Sequence, residues 1–378
     1  MSRLLRRDGA PPLPTRELTV RSADGARLHV EVHGPDGAPA VVLVHGWTCS
    51  TRFWDAQLRD LAADHRVVAY DQRGHGGTPA TPGGYSTDAL ADDLEAVLAA
   101  TLGPGEKAVI TGHSMGGMTI MAAARRAGLR ERAAAVLLCS TGSSRLPGTS
   151  TVLPFPAGRA RTAGTRAILA SSAPLGPVTP ITRRVLKYAT MGAGAAPERV
   201  ALCARIVHAC PRAARSGWGR VLADLDLDAG VRELRVPTAV VAGTADRLTP
   251  IGHARAIAAA LPECLGLTEL TGLGHMTPVE APEAVTAKIR ELVTAYLPAG
   301  IPSPDGRPDG RTDRHADGRP DGHADGRPDG RTDRHADGRP DGHADGRPDG
   351  HVDGHVDGHV DERTGDGTDG TAEKEEVA

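Results

Sequence analysis

Ser114 lies at the centre of a glycine-rich pentapeptide within Gly112–Gly117. An apolar segment, 108–110, precedes it, and a helix-like stretch, 118–124, follows it. A serine held between glycines on a tight strand-to-helix turn projects above the sheet, where a base and a substrate both reach its hydroxyl. A bare match to this pattern is also typical of ordinary glycine-rich turns. The surrounding segments therefore decide whether Ser114 is a nucleophile.

Two later segments provide the partners that a serine nucleophile needs. Asp246 follows the buried-strand run 238–242, and His275 lies in a loop after the run 267–270. Taken alone, an Asp at a strand end is more often a helix cap, and a loop His is usually solvated. In the order Ser, Asp, His, each after a strand, the three residue types supply a nucleophile, a group that orients the base, and the base. The order favours nucleophilic catalysis.

Main-chain donors for a negatively charged oxygen are expected at two positions. The β-branched run 41–44 ends in His45-Gly46-Trp47, which predicts a buried strand breaking into a loop. Such a loop suits an oxyanion-hole N–H from Trp47, and Met115, the residue after the nucleophile, would give the second. The alternative is that His45-Gly46 merely ends a strand.

Together these segments resemble the α/β-hydrolase superfamily, in particular its serine-nucleophile members that act as esterases or lipases. The resemblance covers roughly residues 17–297 and includes the segment Tyr70–Gly76. It implies a structural rather than catalytic turn at 71–76. It also implies these roles: nucleophile Ser114, acid Asp246, base His275, and oxyanion-hole N–H donors Trp47 and Met115.

The resemblance also excludes related chemistries. Dehalogenases and epoxide hydrolases of the superfamily carry Asp where this chain has Ser114, which argues against both reactions. An alternative acid position in the family follows the next strand, here 135–141, and no carboxylate lies at its end. Asp246 is therefore the only candidate that this comparison of positions leaves for the acid of the triad. The triad and main-chain N–H groups need neither a cofactor nor a metal, so we expect none.

The fold class follows from the alternation of apolar runs with helix-like segments in 17–141 and 226–300. This pattern predicts an α/β fold, with a mostly parallel sheet flanked by helices and a hairpin from 18 to 32. Residues 142–225 interrupt the pattern with helical segments and no good strand. We expect them to form an inserted helical cap over the catalytic groove.

Two helices of the core can be outlined in more detail. One is expected over 115–127, directly after the nucleophile. Another is expected over 87–100, where the apolar side chains of Leu90, Leu94 and its neighbours share one face, while the acidic residues, including Asp93, lie mostly off it.

Both ends of the chain differ from the core. Residues 1–16 form a basic extension that contains no apolar signal-peptide segment. Residues 301–378 repeat an Arg/His-x-Asp-Gly unit, and the block 307–326 recurs unchanged as 327–346. With few apolar side chains to offset the entropy of ordering, this tail is expected to be disordered. Its spaced Asp and His residues leave metal binding as the alternative.

Charge and composition restrict the partners. The tail contains 21 acidic and 11 basic residues, a net charge of −10, which argues against a nucleic-acid partner. Residues 142–225 contain 12 Arg or Lys and two acidic residues, so the cap surface is either solvated or a functional basic face. No apolar stretch approaches the ~18 residues of a membrane helix, so no stable membrane insertion is expected. Five scattered cysteines indicate a reduced, cytoplasmic protein.

The function favoured by the sequence is that of a cofactor-free serine hydrolase acting on a small-molecule, apolar acyl ester. The same triad also permits hydrolysis of a thioester, lactone or C–C bond, or haloperoxidase-like perhydrolysis. A different class, a non-catalytic binding protein on this fold, stays open because fold does not fix function. The presence of all three triad members argues against it. The oligomeric state is left open.

Overall fold

The computed structural model describes residues 14–81 and 83–297. Most of the basic extension 1–16 and the whole repeat tail 301–378 lie outside the described residues, so the expected disorder of the tail is untested. Within the described ranges, no helix is long and apolar enough to cross a membrane.

An eight-stranded sheet lies at the centre of the structure. Its strands are β1 Arg16–Arg21, β2 Arg27–His33, β3 Ala40–Val44, β4 Arg66–Tyr70, β5 Ala108–His113, β6 Ala133–Cys139, β7 Thr238–Gly243 and β8 Cys264–Leu270. Their order across the sheet is β1-β2-β4-β3-β5-β6-β7-β8. The strand β2 pairs antiparallel with both β1 and β4, and every other pair is parallel. The mostly parallel sheet and the β1–β2 hairpin predicted from the sequence are confirmed.

Helices of the described chain flank this sheet and fill the segment in which the sequence predicts a cap. They are α1 Asp55–Leu61, α2 Thr87–Thr101, α3 Met115–Ala122, α4 Ala127–Arg132, α5 Leu146–Thr149, α6 Arg159–Ala170, α7 Pro180–Thr190, α8 Pro197–Ala209, α9 Arg212–Ala223, α10 Asp228–Glu233, α11 Gly252–Ala260, α12 Thr277–Glu280 and α13 Pro282–Tyr296. A short 3₁₀ helix at Thr51–Trp54 precedes α1.

The core has two layers because successive side chains of a strand point to opposite faces of the sheet. In β3, Val42 and Val44 pack with α2, α3 and α11, whereas Val41 and Leu43 pack with α1 and α13. Burial on both faces explains why the central strands are continuous β-branched and apolar runs. It also fixes where each strand ends, and therefore where the loops that follow it begin.

Five helices, α5 to α9, lie between β6 and α10, in the segment where the sequence predicts a cap. The only strand-like pairing of this described segment is an isolated bridge from Ser144 to Asp226. Residues of α6 and α7 border the same cavity as Ser114. The helical segment therefore covers the carboxyl end of the sheet.

One helix prediction is wrong in its extent. The helix after Ser114 ends at Ala122 instead of continuing to 127, and a separate helix, α4, follows at Ala127–Arg132. Main-chain hydrogen bonds from Ala124 to Met121 and from Arg126 to Ala123 close tight turns between the two helices. The chain reverses there because β6 must start beside β5 after a short connection, and helix propensity alone does not show that constraint.

Asp93 of α2 is buried, although most acidic residues of that helix lie off its apolar face. Arg73 donates from Nε to Asp93 Oδ2 at 2.6 Å and from Nη2 to Asp93 Oδ1 at 2.7 Å. Both side chains are at most 2% exposed. A bidentate pair of this kind fixes the turn 71–76 to α2, in agreement with the structural role that the resemblance implies for this turn.

Replacing Arg73 by Leu is expected to lower the free energy of unfolding by about 3–5 kcal/mol, because Asp93 would remain buried without its partner. Urea denaturation measures the loss. The matched control is Arg126→Leu, which removes an exposed partner of Asp88 and Asp92 on the same helix and should cost less than about 1 kcal/mol. Equal losses of stability in the two variants would contradict the stabilising role of the buried Arg73–Asp93 pair.

Candidate active site

The three residues of the expected triad lie at one edge of the sheet. Ser114 directly follows β5, Asp246 follows β7, and His275 lies in the loop after β8. The strands β5, β6, β7 and β8 are neighbours and run parallel, so their carboxyl ends meet at the same edge. The structure thus brings together residues that are up to 161 positions apart in the sequence.

Ser114 has the backbone conformation of a strained turn, with φ 51° and ψ −116°. Non-glycine residues rarely adopt positive φ, and such strain is typical of functional sites. Its N–H donates to the carbonyl of Cys139 at 3.0 Å, and its carbonyl accepts from the Thr141 hydroxyl at 2.8 Å. The Ser114 hydroxyl does not cap α3. The main chain therefore holds the residue while leaving its side chain available.

Two glycines of the pentapeptide are required by close approach. A Cβ atom on Gly112 would lie 2.5 Å from the main chain of Gly116, and one on Gly116 would lie 2.0 Å from the carbonyl oxygen of Val44. Because the contacting atoms belong to the main chain, a side chain at either position would displace β5 or β3. The glycines let α3 start directly above the strand ends, which places Ser114 at the edge of the sheet.

Asp246 and His275 form a buried hydrogen-bonded pair. His275 Nδ1 lies 2.7 Å from Asp246 Oδ2, and both side chains are at most 4% exposed. The other oxygen, Asp246 Oδ1, accepts the N–H groups of Leu248 at 2.8 Å and Thr249 at 3.0 Å. The Thr249 hydroxyl donates to Oδ2 at 2.8 Å. Because the carboxylate only accepts, Nδ1 carries the imidazole proton and Nε2 is left as the basic nitrogen.

Ser114 and His275 border one cavity of about 430 Å³. No hydrogen bond joins the Ser114 hydroxyl to the His275 ring in this structure, and in proteins without substrate such contacts are often long. Most of the other lining side chains are apolar and come from the cap and the adjacent core. They include Met118, Leu146, Ile168, Leu169, Val185 and Leu186.

Of the two expected oxyanion-hole residues, Trp47 lies at this cavity, and Met115 directly follows Ser114 without lining the cavity itself. Met115 is the first residue of α3, where the first N–H groups of a helix lack intrahelical partners. Among the described residues, neither the Trp47 nor the Met115 main-chain N–H donates a hydrogen bond. Neither group therefore has a hydrogen-bond acceptor within the described residues, and Met115 lies at the positive dipole end of α3.

Buried histidines hold the loop that contains Trp47. The N–H of Gln72 donates to His45 Nε2 at 3.0 Å, and the N–H of Thr48 donates to His75 Nε2 at 3.1 Å. In each ring the other nitrogen lies 2.7–3.0 Å from a main-chain carbonyl. Burial lowers the pKa of His45 to about 4 and that of His75 to about 3. These rings stay neutral near pH 7 and connect main-chain groups of the two loops 45–48 and 71–76 by hydrogen bonds.

The neutral state of His75 predicts a pH dependence of stability. Its pKa lies below the unfolded value of 6.5, so the unfolded chain binds more protons and stability falls as the pH drops through that range. Between pH 7 and pH 5 the wild type should lose about 2 kcal/mol more than His75→Gln, which keeps an acceptor but cannot ionise. Urea denaturation at the two pH values tests this. Parallel losses would show that His75 does not titrate as inferred.

The structure adds Glu280, which sequence reasoning missed. Its carboxylate is buried and accepts main-chain N–H groups of Gly274, Met276 and Gly192 at 2.7–3.2 Å. These bonds hold the main chain on both sides of His275. They also connect the loop of His275 to Gly192, which lies between α7 and α8. The Thr-x-x-Glu spacing at 277–280 indicates a helix start. It does not reveal that the side chain reaches back to the loop that contains His275.

His113, which precedes Ser114 in the glycine-rich pentapeptide, is a second residue to which sequence reasoning assigned no role. Its Nε2 lies 2.9 Å from the carbonyl oxygen of His275, and its ring stacks on Phe53 at 4.4 Å between centroids. Burial, together with the nearby His275, lowers the pKa of His113 well below its usual range. The neutral ring donates from Nε2 to the carbonyl oxygen of His275 and so holds the main chain of His275 in place.

A metal centre finds no support in the part of the chain that the structure describes. Within it, no group of three His, Cys, Asp or Glu side chains is arranged to hold a metal ion. The Asp- and His-containing tail lies outside the described residues.

Comparison with known proteins identifies one fold family. The profile of the "Alpha/beta hydrolase family" matches residues 41–288. The non-heme chloroperoxidase of Streptomyces lividans is 29% identical over 73% of this chain and 99% of its own length. The pimeloyl-[acyl-carrier protein] methyl ester esterase of Aromatoleum aromaticum is 29% identical over 68% of this chain and 98% of its own.

Other relatives match over shorter spans, and solved structures extend the likeness. Several curated relatives are matched only locally, over 20–35% of their own length. A thermophilic esterase from Thermogutta terrifontis superposes with a TM-score of 0.61 at 25% identity, covering 75% of this chain and 99% of that esterase.

Proposed function

Because the chain belongs to the α/β-hydrolase family, we propose that it is a cofactor-free serine hydrolase that cleaves a carboxylic ester. The observation that carries the proposal is the convergence of Ser114 and His275 on one cavity, with Asp246 bonded to the far side of the His275 ring. Similarity to an esterase over nearly the full length of that protein supports the ester as substrate.

In the proposed acylation step, His275 Nε2 removes the proton of the Ser114 hydroxyl as Oγ attacks the ester carbonyl. The N–H groups of Trp47 and Met115 stabilise the oxyanion that forms. Collapse of this intermediate breaks the bond to the alcohol oxygen, which takes the proton from His275. The acyl group stays on Ser114, and the alcohol leaves.

Deacylation repeats the same chemistry with water. His275 removes a proton from the water molecule, whose oxygen attacks the acyl carbonyl. The carboxylic acid leaves, and the proton returns to Ser114. Asp246 accepts from Nδ1 throughout, which holds the ring in position and stabilises the imidazolium of each step.

The cavity favours an apolar acyl group. Its walls are mainly side chains of the segment 142–225, and burial of each CH₂ group contributes about 0.8 kcal/mol to binding. We therefore expect acyl chains that fill the cavity to bind better than acetate. A panel of p-nitrophenyl esters of graded acyl length, assayed beside Ser114→Ala, tests this. The proposal is wrong if no ester of the panel is hydrolysed faster by the wild type than by the variant.

A second reaction of the same site is favoured by the full-length similarity to a non-heme chloroperoxidase. Hydrogen peroxide in place of water would attack the acyl-Ser114, giving a peracid and the free serine. Peracid formation from acetate and peroxide, compared with ester hydrolysis, decides between the two. Thioester, lactone and C–C bond hydrolysis use the same residues and are distinguished by substrate. A non-catalytic binding protein would bind esters without turnover.

Glu280 is expected to be a positioning residue in this mechanism. The substitution Glu280→Gln keeps the shape but replaces one acceptor oxygen by an NH₂ group that faces main-chain donors. We expect kcat to fall about 10- to 100-fold, with KM little changed, because a displaced base is costly. The matched control is Glu283→Gln, an exposed side chain at the start of α13, which should behave as wild type. Full activity of Glu280→Gln would remove its proposed role.

We also propose a reducing, cytoplasmic location. All five cysteines are free, four of them buried and one, Cys264, exposed.

A further inference from the structure

The cap exposes an unusual group of apolar side chains. Of the large apolar residues exposed in the described part of the chain, all but Leu265 lie between 155 and 188. They are 41–72% exposed and comprise Phe155, Ile168, Leu175, Ile181, Val185 and Tyr188, which we call the cap face. Ile168, Leu175 and Val185 border one cavity, and Ile181 and Tyr188 share a side of one helix with Val185. Adjoining exposed apolar side chains of this kind mark an interaction site.

The helix α7 organises the cap face. Ile181, Val185 and Tyr188 are spaced at i, i+4 and i+7, so they share one side of the helix. Ile181 is 72% exposed and Val185 is 62% exposed. A helix that packs only against its own fold does not leave its apolar stripe toward water.

Exposed positive charge lies on the same helix as this apolar stripe. Arg183 and Arg184 of α7 are exposed, and neither forms an ion pair with a carboxylate of residues 14–81 or 83–297. In helical projection Arg184 flanks the stripe on one side, and Arg183 lies on the polar side of the helix. The segment 142–225 as a whole contains 12 basic and two acidic residues. The cap face therefore combines exposed apolar groups with a positively charged segment.

We propose that the cap face docks on an anionic lipid surface. A basic amphipathic helix with exposed apolar side chains lies in the interface plane, where the apolar groups enter the headgroup boundary and the arginines contact anionic headgroups. Docking of this kind is peripheral, in keeping with the lack of a membrane-spanning helix among the described residues.

Charge also decides against a second copy of the chain as the occupant. A symmetric dimer through this face would bring together two copies of a segment that contains 12 basic and only two acidic residues. Like charges facing each other disfavour such a contact. An anionic lipid surface complements the same residues.

Docking through the cap face would place the entrance of the Ser114 cavity next to the lipid. Ile168, Leu175 and Val185 belong to the cap face and also line the cavity that contains Ser114. An apolar ester dissolved in the lipid would thus enter the cavity without crossing water. This consequence rests on the proposed function, whereas the docking itself does not.

Vesicle flotation of the full chain tests the docking without any turnover. We expect the protein to float with vesicles of equimolar phosphatidylcholine and phosphatidylglycerol, to float much less with phosphatidylcholine alone, and to be released by high salt. Ser114→Ala should float like the wild type, so a failed hydrolase proposal does not affect the readout.

Paired variants assign the binding to the cap face. The double charge reversal Arg183→Glu with Arg184→Glu should lower the partition coefficient at least about 30-fold, since each basic residue contributes about fivefold near an anionic surface. The pair Phe155→Ser with Ile181→Ser, neither of which lines the cavity, should lower it about tenfold. Matched controls outside the cap are Leu265→Ser, and Arg125→Glu with Arg235→Glu, which should float normally.

Three results would overturn the proposal: no flotation with anionic vesicles, equal flotation with neutral ones, or cap-face variants that float as the wild type does. Size-exclusion chromatography adds a fourth. If the wild type is a dimer that Phe155→Ser with Ile181→Ser dissociates, and no vesicle binding is seen, the cap face is a contact between copies of the chain.

Discussion

Ser114→Ala is expected to lower kcat for ester hydrolysis by about 10⁴- to 10⁶-fold, and His275→Ala by a similar amount. Without the hydroxyl no acyl-enzyme forms, and without the imidazole no group removes its proton. The two losses should not add in the double variant, because the residues act as one unit. Steady-state kinetics with the best ester of the panel measures all three.

Stability serves as the control for this prediction. The Ser114 hydroxyl does not cap α3, so its removal should change the free energy of unfolding by less than about 1 kcal/mol. Ser172→Ala, an exposed serine of the cap, should keep wild-type kinetics. A folded Ser114→Ala protein with wild-type turnover would eliminate the proposed nucleophile.

Asp246→Asn should lower kcat by about 10⁴-fold, the second-largest effect we expect. The N–H groups of Leu248 and Thr249 both point at Oδ1, so the oxygen of the Asn side chain must occupy that position. The NH₂ group then faces His275 Nδ1 and donates to it. This bond forces the imidazole proton onto Nε2, where it blocks the attack of Ser114.

The matched control for this substitution is Asp228→Asn. Asp228 likewise accepts several hydrogen bonds, two of them from the hydroxyls of Ser143 and Ser144, but does not border the cavity of Ser114. Its amide variant should retain activity near the wild-type level. If the two Asn variants lose activity equally, the effect comes from the fold and Asp246 has no special role.

The fold was predictable because the sheet is buried on both faces. Continuous apolar runs such as 41–44 and 238–242 mark the central strands, and each run ends where a polar loop begins. Ends of neighbouring parallel strands meet at one edge, so three loop residues in separate runs could be assigned to one place. The helical segment from α5 to α9 was recognisable as the stretch where strand-like runs stop.

The features that sequence reasoning missed all depend on contacts between distant residues. Asp93 lies three residues after Leu90 and four before Val97, at the edge of the buried face of α2, and only its pairing with Arg73 explains how a carboxylate is accommodated there. Glu280 accepts main-chain N–H groups around His275, and His113 donates to the His275 carbonyl; main-chain partners of either kind leave no trace in the side-chain pattern. The break between α3 and α4 reflects the position of β6, which helix propensity does not encode.

Covalent labelling with a fluorophosphonate, read by intact mass and peptide mapping, tests the central claim most directly. The serine of a working triad attacks the phosphorus and displaces fluoride, leaving a stable phosphonyl ester on Oγ. We predict one adduct per chain, located on Ser114, absent from Ser114→Ala and formed far more slowly by His275→Ala. An unlabelled wild type, or an adduct on any other residue, would contradict the account.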